Sequence, residues 1–353
     1  MKILHLNNEK TWRGGERQTL LLAAELQKRG LVNTIACRSN APLQALSEQQ
    51  NIPTLRLSGS TLLAMIDLMK AARQFDVLHC HTGRSHSLAA ATAWCHRKPI
   101  IVTRRVDFLP KQTWFNQFKY EQANRVICIS EFIAAQLRDW GVPAEKLSVI
   151  QSAVPSATNL KSESELRAEL GLPLDKKIVG NIAALVGHKD HATLLRAARQ
   201  VIDQRQDVLF VVIGEGELRP ELLKLRDELK LEPHFRFLGY VPKAQKYLSA
   251  FDVFAMSSCM EGLGSIVLDT FAVGVPVAAT AGGGLPELVR DLETGLLVGV
   301  GDSPGLAGAI LKLLNDEALA KKLAGQAQQW VEQNCSVAKM AESYLEIYRK
   351  ILA

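Results

Sequence analysis

What this sequence lacks narrows what the chain can be. It has no run of about 18 uninterrupted apolar residues, so no membrane-spanning helix is expected. Its opening, MKILHLNNEK, has no apolar core and no cleavage site, so it does not read as a signal peptide. The six cysteines, Cys37, Cys80, Cys95, Cys128, Cys259 and Cys335, form no C-x-x-C pair. Scattered cysteines suit reduced, mostly buried thiols in a cytoplasmic protein. No G-x-x-x-x-G-K-[ST] occurs, which argues against a P-loop phosphotransferase. Acidic residues are scarce in the first half: residues 1–155 carry 20 Lys+Arg against 11 Asp+Glu, a balance of +9. The remainder carries 22 against 25, a balance of −3. That asymmetry points to an anionic partner for the first half, whether nucleic acid, a membrane surface or a phosphorylated substrate.

What is present is ordinary for a chain with sizeable cores: 353 residues, 47% apolar and 22% charged, long enough for two domains. Short β-branched runs alternate with longer amphipathic stretches throughout. In the first half the strand candidates are KILHLN, NTIACR, DVLHCH, PIIVTR, RVICIS and LSVIQ. In the second half they are KIVGNIAAL, DVLFVVIG, FRFLGY, DVFAMS and VPVAAT. Between them lie segments such as GERQTLLLAAELQKRG, with leucines and alanines three and four residues apart. This alternation predicts α/β architecture with parallel sheets covered by helices. SAVPSATNLKSESELRAEL reads as the linker, placing the boundary near Ser156. The expectation is two doubly wound Rossmann-like domains, 1–156 and 157–335, facing across a cleft that takes the ligand. A final helix, 336–353, carries Val337, Met340, Tyr344, Ile347 and Ile351 along one stripe and needs an apolar surface to pack on.

The stretch CMEGLGSIVLDTFAVGVPVAATAGG sets Glu261 beside Gly262 and Gly264, then interrupts an apolar run with a second acid, Asp269. A helix beginning at about Gly262 would offer unsatisfied N–H groups and a positive dipole end, which suits a phosphate. Two glycines would let an anion approach the backbone, and carboxylates accept hydrogen bonds from sugar and ribose hydroxyls. A capping Glu and a surface Asp would also satisfy this spacing. The segment EGLGSIVLDTFAVGVPVAATAGGGLPELVRDLETGLLV resembles the E-x7-E region of retaining glycosyltransferases of family 4, which have the GT-B fold. LNNEKTWRGGERQTLLLAAELQKRG, DVLHCHTGR and VLFVVIGEGELRPELLKL resemble other parts of the same family, so the likeness spans essentially the whole chain.

The resemblance implies transfer of a sugar from a nucleotide diphosphate sugar with retention of anomeric configuration, without a covalent nucleophile. It implies that Glu261 contacts donor sugar hydroxyls and that Asp269, in place of the second Glu, meets the ribose. The amides of Gly262, Leu263 and Gly264 would meet the diphosphate and sugar. Lys189, in ALVGHKDH, would neutralise the leaving diphosphate. His81, at the end of DVLHCH, would lie near the donor sugar, and Gly14 and Gly15 would bring loop backbone to donor phosphate or acceptor. The family usually carries an Arg about five residues before this Lys. Here Ala183 and Ala184 stand there, and Arg13 or Arg17 is the candidate replacement. The base pocket would be largely backbone, around Leu238 to Val241.

No cofactor and no metal are expected. His79 and His81 share a strand face, but no nearby carboxylate or Cys completes a convincing ligand set with them. A GT-B-fold UDP-sugar 2-epimerase is an alternative reading. A nicotinamide oxidoreductase is another, although GEGELR has Arg219 where the third glycine of that signature belongs. A silent binding protein is a third. The basic first half, with Arg13, Arg17, Arg84, Arg104 and Arg105 in or beside strand-end loops, suggests an anionic, lipid-linked acceptor such as an envelope polysaccharide or lipopolysaccharide core. DFLPKQTWFNQFKYEQ adds Phe108, Leu109, Trp114, Phe115 and Phe118 among Lys111 and Lys119. That mixture suits peripheral contact with the cytoplasmic face of an anionic membrane, and equally the core of a helix. No nucleic-acid partner is expected.

Overall fold

The computed structural model describes residues 1–155 and 161–353. Ser156, where the sequence sets the domain boundary, lies outside the described residues. The chain divides into two compact units, Met1–Ala153 with Ser336–Ala353, and Val154–Cys335.

The first unit is built on a seven-stranded sheet: β1 Lys2–Leu6, β2 Val32–Arg38, β3 Thr54–Leu57, β4 Val77–Cys80, β5 Ile100–Arg104, β6 Arg125–Cys128 and β7 Leu147–Val149. Their order is β3-β2-β1-β4-β5-β6-β7 and every pairing is parallel. Both faces of the central strands are covered, and all four residues of β4 are buried, His79 among them. The strand order runs outward in opposite directions from β1 and β4, which makes their junction the topological switch point. In that register His5 of β1 pairs with His79 of β4.

The closing helix, Val337–Leu352, packs on this sheet through Met340, Ala341, Tyr344, Leu345 and Tyr348, joined in one core with Ile3, Leu22, Leu26, Val77 and Ile101. Its buried stripe is centred differently from the sequence expectation: Val337, Ile347 and Ile351 lie only at the margin of that core. Ser336 caps the helix, its side chain accepting from the Lys339 amide at 3.2 Å.

The second unit holds six parallel strands: β8 Lys177–Ile182, β9 Val208–Ile213, β10 Phe235–Gly239, β11 Val253–Met256, β12 Val277–Thr280 and β13 Leu296–Val298. Their order is β10-β9-β8-β11-β12-β13, so its switch point lies between β8 and β11. β3 and β13 were not expected. Both are edge or near-terminal strands of four and three residues, and β3, TLRL, is only partly buried. Such strands carry too short a pattern to stand out from loop. Among the described residues no helix is long and apolar enough to cross a membrane.

Candidate functional site

In the second unit, the loops at the carboxyl ends of β8 and β11 converge on one carboxylate. Glu261 follows β11, and Lys189 ends a short 3-10 turn, Gly187–Lys189, after β8. Although 72 positions apart, the Lys189 ammonium lies 2.5 Å from Glu261 Oε1. Ser258 Oγ donates to the same oxygen at 2.8 Å. The two ionised side chains are largely shielded, 17% and 9% exposed. Backbone ties fix the pair. Ser257 Oγ donates to the Lys189 carbonyl at 3.0 Å, and the Cys259 amide to the His188 carbonyl at 2.9 Å. Asp190 then caps the next helix, His191–Gln204, accepting from the Thr193 amide and hydroxyl at 3.2 and 2.6 Å. That cap explains the acid after the lysine.

The glycines after β12 are demanded by contact. A Cβ on Gly283 would stand 2.2 Å from the Glu261 carbonyl oxygen, and one on Gly282 2.2 Å from that of Ser258. The Gly284 amide meanwhile donates to the Glu261 carbonyl at 2.8 Å. Gly264 is the N-cap of the helix Ser265–Ala272 at φ +81°, a conformation that suits glycine. The helix therefore begins three residues later than the sequence suggested, and Gly262, Leu263 and Gly264 form the loop leading into it. Leu263 is a core residue, 1% exposed. Asp269 lies in the second turn of this helix, half-buried.

Gly214 and Gly216 also pack against a neighbouring loop. Cβ atoms there would come within 1.9 Å of the Ala183 carbonyl oxygen and 2.3 Å of that of Leu185. They bring backbone against backbone and account for GEGE without a dinucleotide. On the same loop Glu215 pairs with Arg219 at 2.6 Å, and both stand over Gly239 at the end of β10. Arg219, which breaks the glycine signature, is thus an arginine of the second unit held by Glu215 over the end of β10.

In the first unit a cavity of about 600 Å³ opens at the switch point, lined by residues after β1, β4 and β5. Arg13, Gly15, Glu16, His81, Thr82, Arg104, Arg105, Lys111 and Lys119 all contribute. Gly14 and Gly15 open the helix Gly14–Lys28, with Arg13 as its N-cap and Glu16 accepting from the Arg13 amide at 3.0 Å. Arg17, one turn on, is half-buried and is not among the lining residues. The cationic side chains crowd one another: burial, and then Arg104, lower the pKa of Lys119. Burial lowers that of Arg105, against the pull of Tyr344 and Glu16. Arg105 is therefore not the exposed rim charge expected from sequence, because its Nε and one terminal nitrogen are shielded from solvent. Arg104 instead holds the Phe108 carbonyl, with its guanidinium 5.3 Å from that ring. Phe108, Leu109 and Trp114 are exposed, at 66%, 46% and 75%, whereas Phe115 and Phe118 are half-buried.

His81 forms the floor of this cavity and does not stand alone. His5, His79 and His81 have ring nitrogens all within 4.8 Å of one another, a cluster the sequence did not reveal because His5 comes from another strand. His5 Nδ1 lies 3.1 Å from His81 Nε2. His79 meets the Tyr348 hydroxyl and Thr103 Oγ1, both at 2.7 Å. Burial holds all three rings neutral, lowering the pKa of His5 to about 4 and those of His79 and His81 well below the ordinary value.

Similar proteins identify the family and the fold. Residues 12–157 match the family described as Glycosyltransferase Family 4, and residues 162–330 match Glycosyl transferases group 1. The lipopolysaccharide core biosynthesis glycosyltransferase LpsE of Rhizobium meliloti is 27% identical over 98% of this chain and 98% of its own length. The N-acetyl-alpha-D-glucosaminyl L-malate synthase of Bacillus anthracis is 25% identical over 78% of this chain and 75% of its own. Anabaena Alr3699/HepE, solved in complex with UDP-glucose, superposes with a TM-score of 0.88 at 22% identity, covering 99% of this chain and 100% of that one. Neither the epimerase nor the oxidoreductase reading finds support in these matches. The protein belongs to the group 1 glycosyltransferases, family 4, with the GT-B fold.

Proposed function

We propose that the chain transfers a hexosyl or related sugar from a nucleotide diphosphate sugar, with retention at the anomeric carbon, in the synthesis of lipopolysaccharide or another envelope glycan. The observation that carries the proposal is the Lys189–Glu261 pair at the carboxyl ends of the strands flanking the β8/β11 switch point. A shielded ammonium there can move from the carboxylate to a leaving diphosphate as its charge develops. The released Glu261 then accepts hydrogen bonds from sugar hydroxyls, Asp269 serves the ribose, and the Gly262–Leu263–Gly264 backbone meets the diphosphate. No metal takes part. The R. meliloti relative supports the envelope assignment, and the UDP-glucose complex of the Anabaena protein makes UDP-sugars the first donors to try.

The acceptor reading rests on the cationic cavity of the first unit, which suits an anionic, lipid-linked glycan. The exposed Phe108, Leu109 and Trp114 beside Lys111 suit contact with the anionic cytoplasmic face of a membrane. Arg13, Arg17 and now Arg219 are candidates for the charge that Ala184 does not supply. The testing experiment is a thermal-shift screen against UDP-, GDP- and ADP-sugars, because a ligand of the folded state raises its melting temperature by mass action. One nucleotide family should raise it clearly, and Glu261→Gln should reduce that rise. A screen in which no nucleotide sugar shifts the transition would overturn the proposal.

A further inference from the structure

We propose that Asn33 and His5 are positioning residues that hold His81 in its Nε2–H form, so that a bare Nδ1 lone pair in the cavity wall accepts a hydrogen bond from a hydroxyl of a bound sugar. The direction of each bond follows from the one before it. Asn33 Nδ2 donates to the Leu31 carbonyl at 3.1 Å, which turns Oδ1, an acceptor only, toward His5. His5 Nε2, 3.2 Å from that oxygen, must carry the proton. A neutral imidazole with its proton on Nε2 presents Nδ1 as an acceptor. His81 Nε2, 3.1 Å from His5 Nδ1, must therefore be the donor. The remaining nitrogen, His81 Nδ1, is left without a proton. It is buried and has no hydrogen-bond partner among the described residues, in a residue only 4% exposed that lines the cavity. A buried acceptor without a partner is costly and calls for a donor from a ligand.

The same geometry counts against a cation held by the three histidines. Both ring nitrogens of His5 and of His79 are already engaged. The Arg105 guanidinium also acts on His79 and His81 as a nearby positive charge. A hydroxyl fits where an ion does not.

The chain of bonds is a property of the protein alone, whereas the ligand half rests on the glycosyltransferase reading above, and two measurements separate them. The first is long-range proton–nitrogen NMR of the full chain labelled with ¹⁵N in its histidine rings, at pH 7. His81 and His5 should each show a protonated Nε2 and an unprotonated Nδ1. His5→Leu and Asn33→Leu should release His81 into mixed tautomers. His5→Asn, whose amide oxygen stands where Nδ1 stood, should keep His81 fixed. A wild-type His81 protonated on Nδ1, or a stoichiometric metal retained after dialysis, would overturn the proposal whatever the variants do. So would a single tautomer surviving in a folded Asn33→Leu protein. The second measurement is turnover with the nucleotide sugar that gives the largest thermal shift. His81→Leu should lower kcat/KM about tenfold, the loss of one hydrogen bond, and His81→Asn, which keeps an acceptor, should recover most of it. Equal loss in both would overturn the ligand half. Absence of any thermal shift would instead count against the transferase reading and leave the NMR result standing.

Discussion

Lys189 and Glu261 neutralise each other inside a loop cluster where water reaches neither well. Removing one partner of a shielded ion pair strands the other, at a cost of about 3–5 kcal/mol for a fully buried pair. Lys189→Met alone should therefore lower the melting transition. The double variant Lys189→Met/Glu261→Gln should recover most of that loss while remaining inactive, and a thermal double-mutant cycle measures both. Strictly additive losses would mean that the pair is not energetically coupled. The buried histidines make a second prediction at this scale. Burial lowers the pKa of His5 and His191 to about 4 and that of His86 to about 3. Unfolded histidines bind protons below about pH 6.5, while these remain neutral in the fold. The unfolded state thus holds more protons, so stability present above that pH is lost as the solution acidifies from about 6.5 toward 4. Urea unfolding followed across this range should show a falling midpoint, and a flat profile from pH 7 to 5 would contradict the neutral rings.

Among the elements, the closing helix Val337–Leu352 is the one whose role depends most on distant chain. Its Tyr348 and Tyr344 hydroxyls reach His79 and Thr103, and Leu345 sits in the core beneath β1 and β4. Leu345→Ala should destabilise the first unit by about 2–5 kcal/mol. Tyr348→Phe should cost less, roughly 1–3 kcal/mol, by leaving a nitrogen of His79 without its partner. Hydrogen exchange at β1 and β4 in both variants checks that order. Elements were legible in the sequence where pattern and burial coincide. β9, VLFVVI, is buried throughout and stands out as an apolar run, whereas β3 and β13 are short and only partly buried. The helix start was misplaced because Gly264 adopts positive φ. A glycine permits that conformation without announcing it. Glu261 and Lys189 were singled out by resemblance, but their contact, the Ser258 bond and the link from Asn33 to His81 depend on which strands adjoin. Topology supplies that, and spacing does not.

At the scale of the whole molecule, charge and chemistry divide between the units. The first carries the cationic cavity and exposed aromatic groups, and the second the shielded lysine–glutamate pair. If the first unit meets an anionic membrane, sedimentation with anionic liposomes should exceed that with neutral ones and weaken with salt. Lys111→Glu and Trp114→Ser should each reduce it; equal, salt-insensitive binding to both would leave a soluble acceptor. The central claim is that Glu261, held by Lys189, engages the donor sugar during transfer. It is tested most directly by turnover of Glu261→Gln at saturating donor with EDTA present, using the nucleotide sugar chosen by thermal shift. Wild type should remain active under these conditions, and the variant should melt as a folded protein yet lose on the order of a hundredfold in turnover, the equivalent of one to two charge-assisted hydrogen bonds. Near-normal turnover by the variant, or a wild type silenced by EDTA and restored by magnesium, would contradict it.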